Sequence, residues 1–171
     1  MSFAKPLATA VAALAVGAMP ASAVAQERCI TRAENRAVVS HLMPNLIDSV
    51  SVKCARSLGG GSFLAQNGDM LASDLEPLSR QSWPAAKTAL ERQSGNPLPD
   101  NEAILDFGRK AIADGVANGM NAESCNVVDQ LMEQLAPLPP ENMANVFALF
   151  LEAGLNSNED SQLKVCEAPR R

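Results

Sequence analysis

Four cysteines, Cys29, Cys54, Cys125 and Cys166, constrain this chain more than any other feature. They are separated by 25, 71 and 41 residues, and none of those gaps is a C-x-x-C. A zinc site or a thioredoxin-type redox pair needs that close spacing, so neither can be assembled from them. An even number of widely spaced cysteines reads as two disulfides if the chain reaches an oxidising compartment. The N-terminus meets that condition. Lys5 precedes an apolar run from Pro6 to Met19, and Ala21-Ser22-Ala23-Val24-Ala25 follows. A basic start, a short apolar middle and small residues at A-x-A spacing read as a secretory signal peptide over 1–25. The run is too short to span a bilayer, which takes roughly 20 residues. Cleavage after Ala23 or after Ala25 fits the spacing; the second is preferred, because the apolar sequence ends there. Cys29 follows Gln26-Glu27-Arg28 rather than small apolar residues, so no lipid anchor is expected. The expected product is 26–171, periplasmic or secreted, without a membrane anchor after cleavage.

The mature length suits a single helical domain with one core. Thr31-x-x-Glu34 is a capping box, and Val39, Leu42, Met43, Leu46, Ile47 and Val50 fall on one helical stripe behind it. The spacing predicts a helix to about Arg56, kinked at Pro44, and stopped by Gly59-Gly60-Gly61. Phe63 to Gln66 is expected to form one turn at most before Asn67-Gly68. Asp69 is expected to cap a short helix that Pro77 closes, and Ser82 a second one reaching about Gln93. After the loop 94–99, Asp100 is expected to cap a helix to about Asn118, with Ile104, Gly108, Ala111, Ile112 and Gly115 facing inward. Asn121 caps the next, carrying Val128, Leu131, Met132 and Leu135. Pro140 opens the last, with Met143, Val146, Phe147, Phe150 and Gly154 on its stripe, before a polar tail from about 155. No strand-length alternation and no repeat is present. The expected fold is all-α, a single irregular bundle of five or six helices stapled by two disulfides.

That helical reading restricts the cysteine pairing. A continuous helix would hold Cys29 and Cys54 roughly 35 Å apart at 1.5 Å per residue, whereas a disulfide needs Cα atoms within about 7 Å. Pairing 29–54 is therefore disfavoured. Pairs 29–125 with 54–166, or 29–166 with 54–125, both remain open.

Little in the sequence points to chemistry. His41, the one histidine, lies roughly opposite the first apolar stripe and is expected to face solvent. With no second histidine and no cysteine pair, no metal ligand set or cofactor site is read. Gly60-Gly61-Ser62-Phe63 matches neither a nucleophile elbow nor a phosphate loop. Asn156, Asn158 and Asp160 lack the glycine and glutamate of a calcium loop. The five methionines beyond the leader are dispersed, as core fillers are, rather than clustered as copper ligands. The formal charge is -5 and no basic stripe interrupts it, which excludes nucleic acid as a partner. What remains by exclusion is a non-enzymatic protein-interaction module with an unknown protein partner. The alternatives are a carrier of a small apolar ligand in an inter-helix cavity and a hydrolase with an unrecognised site.

Overall fold

The structure, a computed structural model, describes residues 29–157 and 164–166. The leader 1–25 and most of the polar tail lie outside the described residues. Five helices follow one another: α1 (Arg32–Leu58), α2 (Phe63–Ser94), α3 (Glu102–Asn118), α4 (Ala122–Leu135) and α5 (Pro140–Ser157). Two-residue strands, β1 (Cys29–Ile30) and β2 (Lys164–Val165), pair in parallel with Cys29 opposite Lys164. This is an all-α bundle stapled by two disulfides.

The first cap forms as its sequence requires. Glu34 N–H donates to Thr31 Oγ1 at 3.2 Å, and Thr31 N–H donates back to Glu34 Oε2 at 2.8 Å. The helix then runs unbroken through Pro44 to Gly59. Cys29 and Cys54 accordingly stand at its opposite ends, and the pairing is Cys29–Cys166 with Cys54–Cys125. Cα separations of 5.1 and 5.2 Å fit such bonds.

α2 departs from expectation. The short helix ending at Pro77 and the second beginning at Ser82 are one helix of 32 residues, with Pro77 and Pro84 inside it. An internal proline costs about 3 kcal/mol in lost hydrogen bonding and crowding. Here Pro77 and Pro84 lie on the solvent side, as do Ser73 and Arg80, whose carbonyls they leave free. Water can satisfy those carbonyls. The opposite side buries Leu64, Gly68, Leu71, Leu75, Ala86 and Ala89. Much of that stripe packs along α1, and its burial outweighs the local penalty. α2 ends at Gly95 in the left-handed conformation (φ 68°), a backbone state that glycine adopts without strain.

Two long-range contacts secure the helix ends. Asp129, on α4, accepts from Leu64 N–H at 2.8 Å and Phe63 N–H at 3.2 Å, so a carboxylate from distant sequence caps α2. Asp129→Ala should lower stability by about 1–2 kcal/mol in urea titrations, the usual loss for a removed N-cap acceptor. At the other end, Arg92 clamps Glu34 through two bonds of 2.5 and 2.7 Å. The Arg92 guanidinium holds the Glu34 carboxyl down at about 2, against an ordinary 4.5. A depressed folded-state value means that the stabilisation is fully present above about 4.5 and disappears as pH falls towards 2. Glu34→Gln should therefore cost clearly more stability at pH 6 than at pH 2. Equal losses at both pH values in thermal melts would sink this assignment.

α1 is the centre of the bundle and touches each of the other helices. Its Val39, Met43, Ile47, Val50 and Cys54 meet Leu64, Leu71 and Leu75 of α2, Met132 of α4 and Met143 of α5 in one core. Near its start, Asn35 donates to the Ala148 carbonyl at 2.9 Å, and Arg32 pairs with Glu152, which seats α5.

Candidate functional site

α3 is the helix whose placement matters most for function. It packs chiefly on α1, and Arg109 reaches α2, donating from Nη1 to Ser79 Oγ at 3.3 Å. Its start is capped by Asn101, whose Oδ1 accepts from Ala103 N–H at 3.0 Å, not by Asp100. Asp100 instead pairs with Lys87 on α2. The inward side of α3 carries Ala113 and Ala117, both buried. Asp114 on the same helix accepts from Ser49 Oγ at 2.7 Å.

The stripe expected to face inward therefore faces out. Ile104 is 53 % and Ile112 52 % exposed, and Phe107, which is not part of that stripe, stands out beside them at 75 %. Gly108 and Gly115 have no neighbouring atom within 4 Å of where a side chain would begin, so they make no close helix contact within this chain. Periodicity locates the apolar side of α3 correctly but not its direction. α1 presents Ser49 and a narrow alanine-sized seat to α3, and the bulky side chains are left on the far side. α5 behaves in part the same way. Met143 is buried and Phe147 packs against the core, while Phe150 is exposed beside Leu149 and Leu151.

Of the clefts that border α3, one, of about 200 Å³, has only apolar side chains around it, including Met43, Leu46, Ile47, Val116, Met132 and Phe147. Another, of about 360 Å³, lies where α1, α2 and α3 meet and is polar. His41 stands on its wall, which corrects the expectation that it faces solvent. It is only 6 % exposed, and its ring stacks on Trp83 with centroids 4.5 Å apart. The error has a physical cause: opposite the core stripe, a central helix meets α2 and α3 rather than water. Nδ1 lies 3.2 Å from the Ser79 carbonyl, which can only accept, so Nδ1 carries the proton. Ser79 Oγ donates to the His41 carbonyl at 2.9 Å. Burial pushes the imidazole below its ordinary value and favours the neutral ring.

The cysteines are structural in this arrangement: all four are bonded, and Cys54 and Cys125 are fully buried. Among the described residues, no cluster of three His, Cys, Asp or Glu side chains could hold a metal ion, and no helix is long and apolar enough to cross a membrane. Glu34, Asp100 and Asp114 all titrate below the ordinary carboxylate range because cations or a hydroxyl stabilise their charged forms. A general acid needs the opposite shift. The class defined so far is a disulfide-bonded all-α bundle with an uncovered apolar helix face. No protein-family model, curated protein or solved structure matches the chain.

Proposed function

We propose that this is an exported, non-enzymatic interaction module, periplasmic or secreted, that binds a protein partner through the outer face of α3. The observation that carries this reading is the outward stripe of Ile104, Phe107 and Ile112 interleaved with Gly108, Ala111 and Gly115. Large apolar groups contribute about 25 cal/mol per Å² when a partner covers them. The small residues between them let a second backbone approach closely. The occupant with that shape is an amphipathic helix of the partner, laid along the outer side of α3 that its own chain leaves uncovered. Two disulfides suit an oxidising compartment and agree with the leader read from the sequence.

The test is a photo-crosslinking residue placed at Phe107 in the exporting host. One heterologous adduct is expected, and it should disappear when Ile104→Glu is added. An adduct of the chain with itself, or no adduct, would overturn the reading.

A second reading, a carrier for a small apolar ligand, is favoured by the apolar cleft beside Val116. Its volume ranks it second: about 200 Å³ is below the usual 300–1,000 Å³ of ligand pockets. Native mass spectrometry of protein purified from its host tests it through a co-purifying mass of a few hundred daltons.

A further inference from the structure

The apolar cleft beside Val116 lies where the bundle is incompletely closed. α3, α4 and α5 each pack on α1, and apart from the turns that join them their backbones scarcely approach one another. The gap is floored by Met43, Leu46 and Ile47 of α1 and walled by Val116 of α3, Met132 of α4 and Phe147 of α5. No polar side chain lines it. Val116 is 51 % exposed and Phe147 half-buried, so the cleft opens at the surface. Ile112, one turn before Val116, carries the exposed apolar side of α3 to its edge. A volume of about 200 Å³ holds a side chain or two, not a whole helix.

The helices around this cleft carry charge of one sign. From Ala111 to Ser157 the chain has six carboxylates and no lysine or arginine. Asp129 caps α2, Glu152 pairs with Arg32, and Asp114 pairs with Lys110. Glu123 and Glu133 on α4 and Glu141 on α5 are exposed and have no ion-pair partner among the described residues. Earlier on α3, Arg109 is paired with Asp106. Lys53 and Arg56, near the end of α1, open onto a separate pocket with Asp48 and Asp114. α4 and α5 therefore form a negative flank, and a surface of one sign steers and retains partners of the other.

Building on the interface proposed above for α3, we propose that the partner's helix is basic as well as amphipathic. Where that helix passes Val116, one of its apolar side chains enters the cleft as an anchor. Lysines or arginines bordering its apolar side meet the field of Glu123, Glu133 and Glu141. An acidic helix with the same apolar pattern could bury the same anchor but would be repelled. A second copy of this chain is a poor occupant on the same ground. Its own exposed apolar side chains on α5 and the end of α3 lie in the stretch without a cation, so like charge would meet like.

The disulfide-intact protein is titrated at neutral pH into three fluorescein-labelled peptides, with anisotropy as the readout. One is an amphipathic helix of leucine and lysine, the second its leucine and glutamate counterpart. The third has the composition of the first in an order that destroys the apolar side. The leucine–lysine helix should bind saturably, about tenfold tighter than either control, and should weaken as salt rises. Val116→Lys, at the mouth of the cleft, should weaken it about tenfold. The triple variant Glu123→Gln/Glu133→Gln/Glu141→Gln should weaken it severalfold, and both proteins should keep the far-UV circular dichroism of the parent. No saturable binding, equal binding of the glutamate peptide or an unaltered triple-variant titration would overturn the basic partner, while the α3 interface would still stand or fall by crosslinking at Phe107. Equal binding of the reordered peptide would reduce the effect to charge attraction without a groove, and an unaltered Val116→Lys titration would place the peptide elsewhere; either result overturns the proposal. So would a dimer of the protein alone, seen by sedimentation equilibrium and dissociated by Val116→Lys, because the occupant would then be a second copy.

Discussion

Replacing Cys54 and Cys125 together by alanine is expected to lower the free energy of unfolding by about 4 kcal/mol. The bond closes a loop across a sequence separation of 71 residues, and loop-closure entropy alone accounts for that magnitude. It also joins the end of α1 to the start of α4 inside the core, where both sulfurs are fully buried. Domains have only about 5–15 kcal/mol of stability to lose, so the variant should stand close to unfolding at 37 °C. Cys29–Cys166 spans 137 residues and would contribute slightly more on entropy alone. It fastens two-residue strands rather than two core helices, so its loss should release the chain ends and leave the core midpoint less affected. Urea midpoints of the two double variants decide the matter. A Cys54→Ala/Cys125→Ala protein within about 1 kcal/mol of the parent would show that packing, not the cross-link, holds α4 in place.

Gly68→Ala should destabilise by about 1–3 kcal/mol, the cost of overpacking a filled interface. The direction is the informative part, because alanine in a helix interior ordinarily stabilises by up to about 1 kcal/mol relative to glycine. A Cβ at 68 would stand 2.2 Å from Ser51 Oγ and 2.6 Å from Ser51 Cβ. Both belong to α1, so one helix must move away from the other. Ser51 Oγ is buried without a partner, so removing it sacrifices no hydrogen bond. Ser51→Gly should therefore rescue Gly68→Ala, with a coupling of about 1 kcal/mol or more in a thermal double-mutant cycle. Simple additivity of the two changes would mean that the helices are not in contact there.

The two glycine-bearing segments show what periodicity can and cannot reveal. Gly59-Gly60-Gly61 stops α1 where the sequence places the stop, because a cap is a local backbone event. Gly68, which reads as part of a turn with Asn67, is instead a point of close approach between α1 and α2. Nothing local marks it as such. The same division runs through the candidate site. The apolar side of α3 is legible from Ile104 to Gly115, yet its outward direction depends on how little of α3 the seat on α1 can cover. Placing His41 by its distance from a single stripe fails for a related reason: a helix surrounded by others has more than one buried side.

Taken alone, the sequence determined the helical class, the caps at Thr31 and Asn121, the restart at Pro140 and the exclusion of a 29–54 bond. These follow from short-range rules: hydroxyl and amide caps, the ring of proline, and 1.5 Å per residue along a helix. Only the tertiary structure decided that Cys29 joins Cys166, that α2 runs through two prolines, that Asp129 caps it from across the fold, and which way α3 faces. Each of those outcomes depends on burial or hydrogen bonding between residues far apart in the chain. Such terms reach several kcal/mol and override local preferences of about one to three.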